Sequence, residues 1–249
     1  KMEVKLNVNG LEYEASFSKK EIENIIKPLI YKFQNLKKDK KKRVIIFLAA
    51  PPAVGKSTLS LFIEKLSTSM ENVLPIKHLS LDGFHHKNKY LKNNKINKFG
   101  KEIYLSEIKG MAETFDLEKF KRYLDKLKKE DIKWPIYDRQ LHDVVEDQIH
   151  VKSEIVLIEG NWLLLDEPGW RELVNKCDYS IFISAKEEQL KERLINRKIK
   201  GGASPKEALN FYQRSDKKNV KRVMENRIDS DVVLKLKDSN EYEKIKGEF

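Results

Sequence analysis

The sequence predicts an α/β fold in three layers, a five-stranded parallel sheet with helices on both faces. Three observations carry that prediction. Five short apolar segments, 43–49, 76–81, 154–159, 178–184 and 231–236, are each separated from the next by at least one helical stretch. Strands buried on both faces read as such continuous apolar runs. The first segment breaks into a small-residue loop, Ala50-Pro-Pro-Ala-Val-Gly-Lys-Ser-Thr58, of the kind that holds phosphate at a helix start. Two further segments deliver the carboxylates Asp82 and Glu159, and ligands of open parallel sheets bind beyond the carboxyl ends of the strands.

Taken from the start, Val4, Leu6 and Val8 alternate, as do Leu11, Tyr13, Ala15 and Phe17, with the hairpin signal Asn9-Gly10 between them. Ser18 precedes a helical pattern over 19–36, with Ile22, Ile25, Ile26, Leu29, Ile30 and Phe33 on one side and Pro28 placed to kink or divide it. Residues 1–40 are therefore expected to form a hairpin–helix appendage, and 41–249 the main domain. Helices are expected at 56–69, 116–130, 170–176, 185–200 and 204–228. Ser184-Ala-Lys-Glu187 and Ser204-Pro-Lys-Glu207 read as capping boxes, and Gly201-Gly202 closes the helix between them. Residues 86–112 are polar, contain Gly100 and Gly110, and read as a long functional excursion.

At 249 residues the chain can bury a full core. No segment has the length of a membrane span, and no export signal is expected from the start. The single cysteine, Cys177, excludes an internal disulfide and fits a reducing, cytoplasmic setting. Fifty Lys+Arg against 39 Asp+Glu give a net charge of +11, which suits anionic ligands. The charge is spread over the chain, and its one dense block, Lys37–Arg43, reads as a solvated linker. Nucleic acid is not the expected partner.

Backbone N–H groups of residues 53–57 can cradle a polyphosphate, with Lys56 reaching its outer phosphates and the Ser57 hydroxyl ligating Mg²⁺. Ala50 stands where the usual pattern has its first glycine, and Pro51 and Pro52, lacking N–H donors, can only stiffen the rise of the loop. Asp82 and Glu159 arrive on the same sheet edge. One can activate a hydroxyl and the other can hold the metal. The Asn175-Lys-Cys-Asp178 stretch matches a guanine-reading pattern but precedes a strand, the wrong edge for a base. His85-His86 and His142-Asp143 lack the further ligands of a closed metal site.

The phosphate loop, Leu-Asp82-Gly-Phe-His, Lys109-Gly-Met-Ala-Glu-Thr-Phe-Asp116, Trp134-Pro-Ile-Tyr-Asp-Arg139 and Ile-Glu159-Gly-Asn-Trp-Leu-Leu-Leu together resemble the uridine kinase, pantothenate kinase and phosphoribulokinase superfamily. Within it the chain is most similar to the bacterial nucleoside/nucleotide kinase-like branch, also labelled fructose-transport-system kinase-like. The motifs run in order from about 43 to 236, and the appendage resembles that branch too. The resemblance implies a P-loop NTPase fold with a helical lid at about 190–220. It implies ATP and Mg²⁺ at Ala53, Val54, Gly55, Lys56, Ser57 and Thr58, with Glu159 on the metal. It implies Asp82 as catalytic base and His85, Tyr137 and Arg139 in the acceptor pocket. Arg193 and Arg197, one helical turn apart, would be lid arginines that close on the transferring phosphoryl group beside Lys56, with Arg214 and Lys217 on the second lid helix.

The expected activity is γ-phosphoryl transfer to a hydroxyl of a small metabolite, foremost a nucleoside, with a sugar or pantothenate as alternatives; a homodimer is left open. A nucleoside pocket should stack a base on Phe84 or Tyr137, and a sugar pocket should be more polar. The rivals from other classes are an ATPase working on nucleic acid or protein, and a nucleotide-binding regulator without chemistry.

Overall fold

The structure, a computed structural model, describes residues 1–8 and 11–249. Strands β1 (Met2–Val8) and β2 (Leu11–Phe17) pair antiparallel from Met2↔Phe17 to Val8↔Leu11. The Asn9-Gly10 turn lies outside the described residues. Val4, Leu6 and Phe17 are buried, and the Phe17 ring stacks on Phe62 at 4.2 Å. A capping box between Ser18 and Glu21 opens α1 (Lys19–Glu21), a π turn follows at Ile22–Ile26, and α2 (Lys27–Lys38) completes the segment. Proline has no N–H and its ring crowds the carbonyl one turn back. The widened turn, with Lys27 N–H bonded to Ile22 O, makes room for Pro28, so the helix is divided by a π turn.

The sheet region begins with β3 (Val44–Ala49), α3 (Lys56–Ser69) and β4 (Ile76–Ser80), which ends in a tight 3₁₀ turn at Leu81–Phe84. The excursion folds as α4 (Asn88–Asn93) and a small hairpin, β5 (Lys95–Lys98) with β6 (Lys101–Tyr104), over its own apolar cluster of Leu91, Ile103, Leu105, Ile108 and Met111. Helix α5 (Leu117–Leu127) is capped by the Asp116 carboxylate. A second hairpin follows, β7 (Ile132–Asp138) with β8 (Asp143–Val151). Then come β9 (Ile155–Glu159), β10 (Tyr179–Ser184), α6 (Glu187–Lys200), α7 (Pro205–Phe211), α8 (Lys217–Glu225), β11 (Val232–Leu236) and β12 (Tyr242–Gly247).

The sheet order is β12-β11-β10-β3-β9-β4. The five predicted strands are all present and run parallel. The sheet is nevertheless mixed and six-stranded, because β12 adds antiparallel to β11. Every residue of β3 and β9 is buried, and side chains alternate between two cores. Val44, Ile46 and Leu48 join Phe33 and Phe62 on one face; Ile45, Phe47 and Ala49 join Phe84, Trp134 and Trp162 on the other.

Three local expectations are corrected. The capping box at Ser184–Glu187 does not form: α6 begins at Glu187 behind Lys186, which makes no side-chain cap, and Ser184 is the last residue of β10, its hydroxyl facing Leu234 O at 3.4 Å. The stretch at 170–176 is 3₁₀ over Arg171–Lys176 rather than α. The helix over 204–228 is interrupted by a π turn at Tyr212–Asp216 between α7 and α8. The Ser204–Glu207 box forms as predicted, and Gly201 with Gly202 (φ 104°) ends α6.

Candidate active site

The carboxyl ends of β3, β9 and β4 lie side by side, with Glu159 opposite Leu48 on one flank and Ser80 on the other. The phosphate loop leaves β3 there. Ala50 is fully buried, its methyl packed into the core cluster with Leu48 and Val54. Ala53 (φ 70°) and Gly55 (φ 90°) adopt left-handed conformations that turn the loop into α3.

Lys56 opens α3. Burial lowers its pKa, against the pull of the Glu159 and Asp82 carboxylates, and Arg197 and Arg139 lower it further. Two carboxylates and two guanidiniums thus act on one buried ammonium, as in a site for a polyanion. The Ser57 hydroxyl donates to Glu159 Oε1 at 3.0 Å, and His78 Nε2 stands 3.5 Å from the same oxygen. Burial alone would raise Glu159, but His78, Lys56 and Ser57 outweigh it and hold the carboxyl at about 2. Glu159 is therefore a buried anion beside a hydroxyl. Both are hard oxygen donors, and they leave further positions to phosphate oxygens and water, the coordination Mg²⁺ prefers.

Asp82 is set by its 3₁₀ turn, its N–H bonded to Ser80 Oγ at 3.1 Å. The Asp82 carbonyl accepts from His85 Nδ1 at 2.8 Å, which fixes the proton on that nitrogen and leaves Nε2 as acceptor. Burial lowers the His85 pKa and keeps the ring neutral. His85 packs on Phe115 at 3.9 Å and faces Tyr137 at 5.4 Å.

The β7–β8 hairpin forms the far wall. Trp134 Nε1 donates to Ser80 O at 3.0 Å and pins it to β4. Tyr137 lies in the strand, with Lys109 Nζ 4.9 Å from its ring, whereas Asp138 serves the turn by accepting from the Gln140 and Leu141 N–H groups. A cavity of about 300 Å³ lies between these elements. Ser57, Glu159, Asp82, Tyr137 and Arg139 line it together with Asn7 of the N-terminal hairpin. Arg139 Nε is buried in this wall with no hydrogen-bond partner among the described residues.

The model of the phosphoribulokinase/uridine kinase family matches residues 45–241. The chain belongs to that family. It is a P-loop kinase, a phosphotransferase. Among similar proteins, the uncharacterized protein YggC of Escherichia coli (strain K12) is 42% identical over 242 residues, spanning 97% of this chain and 98% of that one. A uridine kinase-like protein of Schizosaccharomyces pombe is 28% identical over 78% of this chain and 83% of its own. The solved structure of a fructose transport system kinase-like protein from Silicibacter sp. TM1040 superposes with a TM-score of 0.71 at 30% identity, covering 82% of this chain and 98% of that chain.

The kinase motifs account for the loop, Asp82, Glu159 and the hairpin, and the structure brings them to one edge. Arg197 shares the field of Arg139 and Asp82. Arg193 bonds the phosphate loop: its guanidinium donates to Ala53 O at 3.0 Å and to Asn240 Oδ1 at 2.7 Å. Arg214 lines a separate cleft with Phe99 and Lys109. Sequence reasoning missed His78, Asn7 and Tyr242, whose hydroxyl donates to Val54 O of the phosphate loop at 2.7 Å. His78 carries no motif signal, and the hairpin and β12 were not read as parts of the site.

Proposed function

We propose that this kinase transfers the γ-phosphoryl group of Mg·ATP to a hydroxyl of a small metabolite, foremost a nucleoside. The observation that carries the reading is the meeting of Lys56, Ser57, Asp82 and Glu159 at one strand edge, the last three lining a cavity large enough for a nucleoside or sugar. Bound Mg·ATP supplies the phosphoryl group and part of the charge neutralisation. Lys56 and the loop N–H groups hold the phosphates, and Ser57 with Glu159 would hold the metal. Asp82 accepts the proton of the acceptor hydroxyl, and Arg197 balances charge from the lid side. Arg139 and Tyr137 orient the acceptor.

The groove of about 720 Å³ between α6 and the β11–β12 turn suits the nucleoside half of ATP. Gln189 lines it, with its amide nitrogen bonded to Lys237 O at 2.9 Å and its buried oxygen unpartnered among the described residues, an acceptor for an exocyclic amine.

Of the two aromatics offered for base stacking, Phe84 is fully buried among Phe120, Tyr123 and Trp134. Only Tyr137 remains. Beside Leu61, Pro135, Ile136 and Ile149, the rest of the lining carries Asn7, Glu64, Lys77 and His78, and these polar groups support a second reading, a sugar acceptor.

ADP release from Mg·ATP tests both, across uridine, cytidine, other nucleosides, hexoses, ribulose 5-phosphate and pantothenate, beside a control without acceptor. A rate that depends on a nucleoside supports the first reading, and one that depends on a hexose the second. Equal rates in every well would remove the small-acceptor reading.

A further inference from the structure

A phosphate loop works only if successive N–H groups point the same way. In a planar trans peptide, the carbonyl of one residue and the N–H of the next point in opposite directions. Whatever holds a loop carbonyl therefore aims the following N–H. Arg193 donates to Ala53 O at 3.0 Å and so orients Val54 N–H; the Tyr242 hydroxyl donates to Val54 O at 2.7 Å and so orients Gly55 N–H. Two consecutive peptides of the loop are thus held by their carbonyls, one from α6 and one from β12.

Tyr242 is itself fixed. It is buried, and a Cβ on Gly55 would stand 2.8 Å from its hydroxyl oxygen, so the phenol lies directly against the left-handed residue of the loop. Its backbone N–H donates to Glu21 Oε2 at 2.9 Å. Glu21 is 4% exposed, and its other oxygen accepts from Ser18 N–H at 3.0 Å. The start of α1, the start of β12 and the phosphate loop are therefore one hydrogen-bonded chain.

We propose that Tyr242 and Arg193 are positioning residues for nucleotide phosphate, and that the N-terminal segment acts on nucleotide binding through Glu21 and Tyr242. The inference rests on the nucleotide reading above and adds to it three residues outside the loop motif.

The test is calorimetric binding of Mg·ADP to the full chain and to Tyr242→Phe, which removes one hydroxyl and keeps the ring. Binding should weaken about five- to twentyfold, while the circular dichroism spectrum is unchanged. In turnover, KM for ATP should rise and KM for the acceptor should not, a split that loss of stability alone would not produce. Arg193→Gln, on a half-exposed helix face, gives the same readout should Tyr242→Phe fail to fold. Glu21→Ala should weaken Mg·ADP binding too, and less than additively in combination with Tyr242→Phe. Affinity within twofold of the parent in folded Tyr242→Phe and Arg193→Gln would overturn the proposal. Strict additivity would overturn the link through Glu21. A parent chain that does not bind Mg·ADP would overturn the nucleotide reading itself, and this inference with it.

Discussion

Gly83→Ala tests whether the contact between the Asp82 turn and the β7–β8 hairpin sets the acceptor site. A Cβ built on Gly83 would lie 2.2 Å from Pro135 O, 2.6 Å from Pro135 C and 3.0 Å from Ile136 N, where ordinary contact begins at 3.4 Å. All three atoms are backbone, so no rotamer change relieves the clash. Either the Asp82 turn or the hairpin must retreat by roughly 1 Å, and such a displacement of reacting groups costs about 10²-fold in rate. The hairpin does not retreat freely, because Trp134 is bonded to Ser80 O and packed against Phe84 at 4.8 Å. The overpacking should therefore also cost about 1–3 kcal/mol of stability. The assay is kcat/KM for the acceptor, with Mg·ADP affinity as the control, since the phosphate loop is carried by β3 and α3 and should stay in place. Parental kcat/KM in a folded Gly83→Ala variant would refute the reasoning.

Asp82→Asn keeps the shape of the side chain and removes the base; transfer should fall by about 10²–10⁴-fold while Mg·ADP affinity stays near that of the parent, measured by coupled assay and calorimetry. Lys56→Ala should lower kcat by about 10²–10³-fold and weaken nucleotide binding as well. Arg222 ties Glu113 at 2.8 Å and Glu167 at 2.8 Å, and Lys98 adds to Glu113 at 2.6 Å, so Arg222→Met should cost about 3 kcal/mol in a urea melt by leaving two carboxylates short of a partner. Burial would raise the Glu113 carboxyl, but Arg222 and Lys98 outweigh it and hold the group at about 2 against an ordinary 4.5. The folded-state pKa is lowered, so the group's contribution, about 3 kcal/mol, is complete above about pH 4.5 and is lost as pH falls toward 2. Arg222→Met should flatten that acid limb of the stability curve, and an unchanged limb would count against the assignment.

The parallel core was legible because each of its strands is a short apolar run between helical periods, a signal that burial on both faces imposes. The antiparallel β12 was not. Its residues, Tyr242 to Gly247, are buried only at Tyr242 and carry Lys244 and Lys246 on an edge. Edge strands need charge to stay unpaired, and that same charge hides them. Ser184 shows the complementary failure. Its spacing from Glu187 satisfies a capping box, yet the same serine also closes the predicted strand at 178–184; β10 takes it, and α6 begins only at Glu187. The β7 strand was not predicted: Pro135 interrupts its pattern, and the structure carries it through Tyr137 and Asp138 by a register shift between Trp134 and Ile136. Pairing with β8 across the short loop at 139–142 decided that, and a pattern broken by proline does not report it.

The candidate site divides along the same physical line. Groups that face a ligand with their own side chains, Lys56, Ser57, Asp82 and Glu159, are constrained in residue type, and so they stand out as motif. Groups that hold the loop from behind bind backbone carbonyls, and any donor that reaches will serve. Arg193 and Tyr242 meet the loop at Ala53 and Val54, residues whose side chains are silent in the interaction. The loop sequence therefore carries no trace of its braces. The separations, 140 residues for Arg193 and 188 for Tyr242, place them beyond any local reading. The same reasoning says where related kinases should differ. The loop motif is free to persist while its braces come from other elements, because the carbonyls ask only for a donor at hydrogen-bond distance. A segment such as the N-terminal hairpin–helix can then govern nucleotide affinity in one branch without leaving a mark on the motif that binds the nucleotide.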